Sequence, residues 1–202
     1  VLRAMIAIWI GKIPLTICMQ KTMNLNDAVH HYPNIFDFNK CNHLVSFSNL
    51  VARNKGKTVN KSDDMSRKVF TYAFGENKQD SLYKQWIKYY LFLTLQEYYK
   101  KFVFAKNAKI IDIQILRYPV GNYYKPHVDY STKTPRTLSA IINLNDNYVG
   151  GELYFTNQTQ KITLIYELKQ GDIVIFPSNF LYPHGIMPVV KGTRHSIICW
   201  LK

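Results

Sequence analysis

This sequence has few cysteines and few acidic residues, and it contains no long uninterrupted apolar run. The three cysteines, Cys18, Cys41 and Cys199, lie far apart and form no Cys-x-x-Cys pair. Their spacing fits neither a disulfide framework nor a zinc knuckle. The simplest interpretation is a protein of a reducing compartment. No repeat or low-complexity segment is evident either.

The shortage of acidic residues leaves the chain strongly basic. Thirteen Asp and Glu stand against 26 Lys and Arg, which gives a formal net charge of +13 at pH 7. Such a charge suits an anionic partner, for example nucleic acid, a ribosome or an acidic protein. The basic residues are dispersed, however, with concentrations only at 53–61 and 100–101. A merely solvated basic surface is therefore the simpler interpretation.

The apolar residues at the N-terminus raise the question of a signal peptide or a membrane span. Lys12 and Pro14 interrupt the run before it reaches the ~20 apolar residues that a span requires. Arg3 precedes an apolar block, as in a signal peptide, but no small-residue cleavage site follows. We interpret residues 1–22 as an upstream extension or a fragment end and expect a cytoplasmic protein, with a weak signal peptide as the alternative.

The length of 202 residues, 47% of them hydrophobic, is enough for one well-buried core and short for two. Two helices are predicted in the first half of the chain. One begins at an N-cap, either Asp37 or Asn39. The other, the longest, covers residues 80–103, which contain no glycine or proline. The polar segment from Arg53 to Ser66 between them is predicted to be a loop.

Apolar residues at helical spacing predict which face of each helix packs against the rest of the fold. In the second helix the row is rich in aromatic residues, and we interpret it as a buttress against a sheet rather than as a cofactor contact. The residues predicted to pack are Leu44, Phe47, Leu50 and Val51 in the first helix and Leu82, Trp86, Tyr89 and Leu93 in the second.

After Ala108 the sequence changes to short runs of β-branched and aromatic residues with turn residues between them. Such runs predict an all-β sandwich or barrel. Together with the helices they indicate an α+β fold, in which a helical N-terminal support, residues 23–108, forms one compact domain with a β core, residues 109–202. The predicted strands lie in KIIDIQILRYPV, TLSAIINLN, GGELYFTN, ITLIYEL, DIVIFP and TRHSIICWL.

A polar pair stands out in the stretch GNYYKPHVDYS. His127 and Asp129 are two residues apart, so on an extended strand both side chains project to one face. A neutral imidazole and a carboxylate on one face can share a cation. The alternative is a turn that carries two polar side chains, because a lone histidine in a β-rich sequence is more often structural than a ligand.

A metal site at this pair would need a third ligand. His184, which follows the predicted strand DIVIFP, is the best candidate, because His195 should point out if its neighbour Arg194 points inward. Two histidines and one carboxylate form a facial triad, which holds Fe(II) and leaves positions open for a co-substrate and dioxygen. A structural zinc site would require a fourth protein ligand, and the cysteines are poorly placed for that role.

A larger set of residues resembles the 2-oxoglutarate- and Fe(II)-dependent dioxygenases, in particular their prolyl 4-hydroxylase-like branch. The likeness covers about residues 109–202. His-x-Asp alone is a weak signal, but a spaced histidine, an arginine ten residues later and a GGEL turn make the pattern specific. The residues that carry the resemblance are Tyr118, Gly121, Tyr124, His127, Asp129, residues 136–145 (RTLSAIINLN), residues 150–153 (GGEL) and residues 183–201 (PHGIMPVVKGTRHSIICWL).

The resemblance implies a double-stranded β-helix, or jelly roll, in which His127, Asp129 and His184 bind Fe(II). It also implies that Arg194 binds the distal carboxylate of 2-oxoglutarate, since a guanidinium pairs bidentately with such a group. Tyr118 matches a tyrosine that contacts the same co-substrate in this family.

Four further positions have expected roles, three of them from the resemblance. Beside the arginine, Thr193 or the Tyr118 hydroxyl is expected to complete the hydrogen bonds to the co-substrate. Asn143 stands where many relatives have a second tyrosine that contacts the co-substrate. Arg136 matches an arginine that faces the peptide substrate in relatives. Tyr124 either lines the substrate pocket or simply packs.

The activity that the resemblance implies is hydroxylation of a C–H bond, most simply of a prolyl residue in a peptide or protein, with release of succinate and CO₂. Ascorbate is a further cofactor that the family suggests. Related halogenases have Gly or Ala at the position of Asp129, so hydroxylation is favoured over halogenation. One alternative is an oxygenase acting on nucleic acid, although such demethylases carry a second arginine shortly after the first. Another is a jelly-roll binding module that has lost iron, against which the intact triad argues.

Overall fold

The computed structural model describes residues 24–55 and 66–202. Most of the regular structure is strand, with two long helices ahead of the main strands. The helices are α1 (Phe38–Val51) and α2 (Lys78–Lys101), with 3-10 turns at Leu25–Ala28 and Val103–Ala105. The strands are β1 (His30–Tyr32), β2 (Asn54–Lys55), β3 (Arg67–Lys68), β4 (Phe70–Ala73), β5 (Ile110–Pro119), β6 (Tyr123–His127), β7 (Leu138–Asn143), β8 (Val149–Gly150), β9 (Leu153–Thr156), β10 (Ile162–Tyr166), β11 (Ile173–Pro177), β12 (His184–Ile186), β13 (Val189–Lys191) and β14 (Thr193–Leu201).

Two antiparallel sheets form the core. The larger has seven strands in the order β1-β11-β7-β14-β5-β4-β2, and the smaller has five in the order β10-β9-β12-β6-β3. β8 and β13 form a separate pair. Strands far apart in the chain are neighbours, as β6 and β12 are in the smaller sheet. The α+β fold with a jelly-roll core that the resemblance implied is confirmed.

Alternation along β14 separates the two halves of the core. Ile197, Cys199 and Leu201 belong to the cluster that contains the helices, whereas Ile198 and Trp200 belong to the cluster between the two sheets. Successive side chains of a strand point to opposite faces, so a central strand covered on both sides reads as a continuous apolar run. The even-numbered side chains of β14, including Arg194, therefore face the space between the sheets.

Helix α1 begins after Asp37, one of the two N-caps that the sequence predicts. The Asp37 carboxylate accepts a hydrogen bond from the Lys40 N–H at 2.9 Å, which satisfies one of the free donors of the first turn. Leu44 and Phe47 are buried as predicted, but Leu50 is 65% exposed. Val51 packs against the core as predicted, and Cys41 and Ser48 are fully buried as well.

The predicted packing face of α2 is wrong. Leu82, Tyr89 and Leu93 are 46%, 60% and 44% exposed, and only Trp86 of that row packs against the core. Both this row and the buried one have helical spacing, and the helix carries apolar residues around most of its circumference. Neighbouring residues of a helix point about 100° apart, so the predicted row and the buried row lie on adjacent faces of α2. Hydrophobic periodicity alone could not show which of the two faces packs against the core. The buried apolar residues are Tyr83, Ile87, Leu91, Leu95, Tyr98 and Tyr99.

The segment before residue 109 is not only a helical support, because four of its strands join the sheets. β1 pairs with β11 and β4 pairs with β5, while β3 extends the smaller sheet beside β6. β2 lies inside the segment predicted to be a loop. The remainder of that loop, residues 56–65, and the predictions for residues 1–22 lie outside the described residues.

No helix within residues 24–55 and 66–202 is both long and apolar enough to cross a membrane. The two described cysteines, Cys41 and Cys199, are buried and have free thiols. Burial raises the pKa of Cys41 to about 12, so its thiol stays protonated at neutral pH. Both residues act as small core side chains.

The corrected face of α2 can be tested with two leucines of the same helix. Leu91 is fully buried and Leu93 is 44% exposed. Leu91→Ala should lower the free energy of unfolding by about 2 to 5 kcal/mol, because it leaves a cavity. Leu93→Ala should change it by no more than about 0.5 kcal/mol. Urea titration monitored by tryptophan fluorescence measures both, and equal losses would contradict this assignment of the buried face.

Candidate metal centre

Two neighbouring strands of the smaller sheet place the predicted histidines side by side. β6 ends at His127 and β12 begins at His184, and the two residues are directly opposite in the antiparallel register. Asp129 follows two residues after the end of β6. Gly185 allows the close pairing, because a Cβ there would lie 2.6 Å from the Tyr124 carbonyl oxygen.

The three predicted ligands converge. One nitrogen or oxygen atom from each of His127, Asp129 and His184 lies within 4.8 Å of the other two. The Asp129 carboxylate lies 3.6 Å from His127 Nε2 through Oδ1 and 3.5 Å from His184 Nε2 through Oδ2. Two imidazole nitrogens and one carboxylate oxygen are the donor set of a non-haem Fe(II) site. The residues present therefore fit a ferrous ion.

The backbone fixes the orientation of both imidazoles. His127 Nδ1 lies 3.0 Å from the Lys125 carbonyl oxygen, and His184 Nδ1 lies 3.1 Å from that of Tyr182. A carbonyl only accepts, so each Nδ1 carries the proton and donates it. Each Nε2 is then left with a lone pair directed at the centre, which is the tautomer that a metal requires.

The Asp129 carboxylate is buried and held by hydroxyl groups. The Ser139 hydroxyl donates to Oδ2 at 2.6 Å and lies 2.8 Å from the Ser178 hydroxyl. Arg136 Nη1 donates to the Asp129 backbone carbonyl at 3.3 Å and lies 3.9 Å from its Oδ1. These contacts fix the carboxylate before any ion is bound.

The protonation states of Asp129 and His184 at neutral pH favour metal binding. Burial alone would raise the pKa of Asp129, but the adjacent imidazoles of His184 and His127 and the Ser139 hydrogen bond hold it below its usual range. Burial lowers the pKa of His184 to about 4. At neutral pH the centre therefore offers an ionised carboxylate and a neutral His184 imidazole, the forms that bind a cation.

A cavity of about 640 Å³ opens onto the three ligands. Tyr124 lines it and stacks on the His127 ring with centroids 3.5 Å apart and an interplanar angle of 16°. The Arg136 guanidinium lies 3.6 Å from the centroid of the Trp200 ring on the same cavity. The volume lies within the range of small-molecule and cofactor sites.

Arg194 is buried without a counter-ion among the described residues. It is 1% exposed, and its guanidinium lies 5.5 Å from the centroid of the Tyr118 ring. Nη1 donates to the Ser196 hydroxyl at 2.8 Å, but Nε and Nη2 have no hydrogen-bond partner in the described part of the chain. A buried charge that lacks a partner is costly, so this position favours an anionic ligand.

The GGEL turn makes room for this arginine. Gly151 has a φ of +71°, and a Cβ there would lie 3.1 Å from Arg194 Cδ and 3.3 Å from Tyr148 Cε2. Gly150 has a φ of +76°, and its Cβ would lie 2.3 Å from the Pro188 carbonyl oxygen. Only glycine satisfies both the backbone conformation and the space.

Thr193 and Asn143, the other predicted co-substrate neighbours, make hydrogen bonds within the protein. The Thr193 carbonyl accepts from the Asn145 side chain at 2.8 Å. The side-chain Nδ2 of Asn143 donates to the backbone carbonyls of Asn145 and Leu168 at 2.7 and 3.0 Å. Neither residue lines the cavity, and their roles toward a co-substrate stay predictions.

His195 projects from the sheet opposite to Arg194, as alternation requires, but it does not reach solvent. It is 3% exposed, and its Nδ1 lies 3.0 Å from the hydroxyl of Ser48 in α1. Burial lowers the pKa of His195 to about 4. The expectation that it points out of the fold is wrong because α1 covers that face of the larger sheet.

Sequence reasoning missed three residues of the site. Ser139 bonds to the Asp129 carboxylate, Ser178 bonds to Ser139, and Trp200 forms a wall of the cavity beneath Arg136. A serine within the apolar run TLSAII was the available signal for Ser139, because a buried hydroxyl needs a partner. Ser178 and Trp200 gave no comparable signal.

Comparison with known proteins agrees with this geometry. Residues 113–202 match the family model of the 2OG-Fe(II) oxygenase superfamily. This segment is similar to the proteins of that superfamily. The match covers β5 to β14 from Ile113 onward, and it includes all three candidate ligands and Arg194. The resemblance inferred from the sequence is confirmed.

Two curated relatives are hydroxylases. The chain is similar to a PKHD-type hydroxylase of Idiomarina loihiensis, with 31% identity over 98 residues, 46% of this chain and 43% of the relative. It is also similar to prolyl 3-hydroxylase 2 of Homo sapiens, with 37% identity over 68 residues, 33% of this chain and 10% of the relative. The aligned region thus spans less than half the length of either relative.

A solved structure extends the likeness to most of the fold. A prolyl hydroxylase from Trichoplax adhaerens, in complex with a peptide fragment of the hypoxia inducible factor oxygen degradation domain, superposes with a TM-score of 0.69. The superposition covers 86% of this chain and 83% of that one at 16% identity. At this identity the likeness establishes the fold alone.

The serine that holds Asp129 can be tested by metal binding. Ser139→Ala should weaken binding of Mn(II), a redox-stable probe for Fe(II), by roughly 10- to 100-fold, because it removes a hydrogen bond to the ligand carboxylate. Ser131→Ala is the matched control, since Ser131 lines the same cavity but bonds to Thr134. Calorimetric titration measures both, and equal Mn(II) affinities would contradict the role assigned to Ser139.

Proposed function

We propose that this protein is an Fe(II)- and 2-oxoglutarate-dependent dioxygenase that hydroxylates a prolyl residue of a peptide or protein. The observation that carries the proposal is the convergence of His127, Asp129 and His184 on a cavity of about 640 Å³. A three-residue centre on one side of a cavity leaves coordination positions for a co-substrate and dioxygen.

Arg194 provides independent support for a diacid co-substrate. Its guanidinium is always charged, it is 1% exposed, and two of its nitrogens lack partners among the described residues. The distal carboxylate of 2-oxoglutarate would supply both the missing charge and the missing acceptors. Tyr118, which lines the cavity and lies beside Arg194, is the proposed neighbour of the same carboxylate.

When bound with 2-oxoglutarate and dioxygen, a ferrous ion would supply the oxidising power that converts a substrate C–H bond to C–OH as 2-oxoglutarate becomes succinate and CO₂. The chain supplies position and environment. His127 and His184 present Nε2, and Ser139 holds the Asp129 carboxylate. Burial of His184 and Asp129, 4% and 7% exposed, excludes bulk water from this wall of the centre.

A prolyl substrate is proposed because the similar proteins described above are prolyl hydroxylases or PKHD-type hydroxylases. In this chain Arg136 stacks on Trp200 and Tyr124 stacks on His127, and all four line the cavity. Arg136 and Tyr124 would contact the peptide as it enters. The sequence resembles the prolyl 4-hydroxylase-like branch, whereas the human relative is a prolyl 3-hydroxylase, so the proposal names the residue type and not the carbon that is hydroxylated.

The activity can be tested with protein purified without oxygen and then supplied with Fe(II), ascorbate, 2-oxoglutarate and air. Wild-type protein should form succinate, at least in slow turnover without a prime substrate. His127→Ala and Asp129→Ala should abolish succinate formation, because each removes a proposed ligand. His43→Ala, an exposed histidine of α1, is the control and should leave the rate unchanged. Succinate formation at the wild-type rate in both ligand variants would refute the proposed centre.

The same reaction identifies the substrate class. Proline-containing peptides, free proline and oligonucleotides are incubated in parallel, and the gain of one oxygen atom is measured by mass spectrometry. Oxygen should appear on a proline of the peptides. Oligonucleotides are included because the net charge of +13 suits nucleic acid. Modification of the oligonucleotides alone would favour a nucleic-acid oxygenase and overturn the prolyl assignment.

The co-substrate assignment gives a separate test. Arg194→Ala should raise the 2-oxoglutarate KM by roughly 10- to 150-fold, because it removes a charge-assisted pair worth about 1.5 to 3 kcal/mol. Arg194→Lys should have a smaller effect, since it keeps the charge but loses the bidentate geometry. An unchanged KM in Arg194→Ala would rule out this assignment.

A further inference from the structure

The backbone that carries Arg194 has a strand neighbour on only one side. β14 pairs with β5 from Thr193 onward, so Arg194 lies opposite Tyr118. On the other side the pairing with β7 starts only at Ser196, opposite Asn143. The peptide groups on either side of Arg194 therefore have no β7 strand to bond to.

The side chain of Asn145 takes the place of the missing strand. Its Oδ1 accepts from the His195 N–H at 2.7 Å, and its Nδ2 donates to the Thr193 carbonyl at 2.8 Å. These are the peptide groups immediately after and before Arg194. One amide thus makes the two hydrogen bonds that a neighbouring strand would make.

The Asn145 amide is itself fixed. It is 9% exposed, and its Nδ2 also donates to Asn147 Oδ1 at 2.6 Å. The adjacent Leu144 N–H donates to the His195 carbonyl at 3.0 Å. Oδ1 and Nδ2 cannot exchange places, because the His195 N–H needs an acceptor and the Thr193 carbonyl needs a donor.

The Arg194 guanidinium has few polar contacts among the described residues. Its side chain makes one hydrogen bond, from Nη1 to the Ser196 hydroxyl, while Nε and Nη2 lack partners in residues 24–55 and 66–202. The direction of the guanidinium therefore depends on the backbone from which it projects. A ligand-binding group must be held to within about half an ångström by its supporting residues.

We propose that Asn145 is a positioning residue for Arg194: by bonding the backbone on both sides, it directs the guanidinium toward the distal carboxylate of the 2-oxo diacid co-substrate. This inference rests on the proposed function and extends it to a residue that contacts neither co-substrate nor metal. Asn145 should therefore affect the affinity for the distal carboxylate and not the affinity for the metal.

Two ligands separate this role from a general structural one. 2-Oxopentanoate has the same chain length as 2-oxoglutarate and the same 2-oxo acid end, but it lacks the distal carboxylate. Binding of each is measured by calorimetry on protein loaded with Mn(II), so the readout does not depend on catalysis. Asn145→Ala should weaken 2-oxoglutarate binding by about 10- to 100-fold, in the range expected for a misplaced group. Binding of 2-oxopentanoate and of Mn(II) should not change.

Matched variants check the assignment. Asn147→Ala removes only the outer bond to Asn145 and should bind both ligands like the wild type. The effects of Arg194→Ala and Asn145→Ala on 2-oxoglutarate should be far from additive, because one acts through the other. If Asn145→Ala does not fold, Asn145→Asp keeps the acceptor for His195 but loses the donor to Thr193. It should show the same selective loss.

The outcomes distinguish the inference from the function on which it rests. If Mn(II)-loaded wild-type protein does not bind 2-oxoglutarate, the proposed function fails and the inference fails with it. If the wild type binds 2-oxoglutarate through Arg194 but Asn145→Ala and Asn145→Asp bind it equally well, only the inference is overturned. Equal losses for both ligands would also overturn it, because they would indicate a general structural defect.

Discussion

The antiparallel pairing of β6 with β12 is the contact on which the site depends. It sets His127 directly opposite His184, and the chain beyond β6 then brings the Asp129 carboxylate to within 3.6 Å of both imidazoles. A register change of one residue would turn one histidine to the other face of the sheet. Glycine at position 185 is needed for this register, since any side chain there would collide with the Tyr124 backbone.

The fold also buries charges of both signs. Asp129 is 7% exposed, and Arg194 is 1% exposed. The carboxylate is stabilised by the Ser139 hydroxyl and by Arg136, whereas Arg194 has a single hydroxyl partner in the described residues. Buried charges are tolerated when they are paired. The arrangement suits a cation at one place and an anion at the other, which is the combination that a ferrous ion and a dicarboxylate provide.

Strand patterns were more informative than helix patterns in this chain. The alternation in β14 correctly placed Arg194 and His195 on opposite faces, because every residue of a strand has only two directions to point. In α2 the row from Leu82 to Leu93 and the buried row through Leu91 are equally periodic, and the sequence contains no signal that separates them. The outward direction of His195 was also misjudged, since only the packing of α1 decides that this face of the sheet is covered.

The sequence by itself determined the chemistry that is available: the donor types in His-x-Asp, the later histidine, the arginine ten residues beyond it, and the glycines of the GGEL turn. It also predicted where α1 starts, to within the two candidate caps Asp37 and Asn39, because a helix cap depends on residues within the first turn. Only the tertiary structure decided which residues surround the site and hold its functional groups in place. Ser139, Trp200 and Asn145 reach the site through strands and loops that are distant in sequence, and such contacts depend on how the sheets pack rather than on any local pattern.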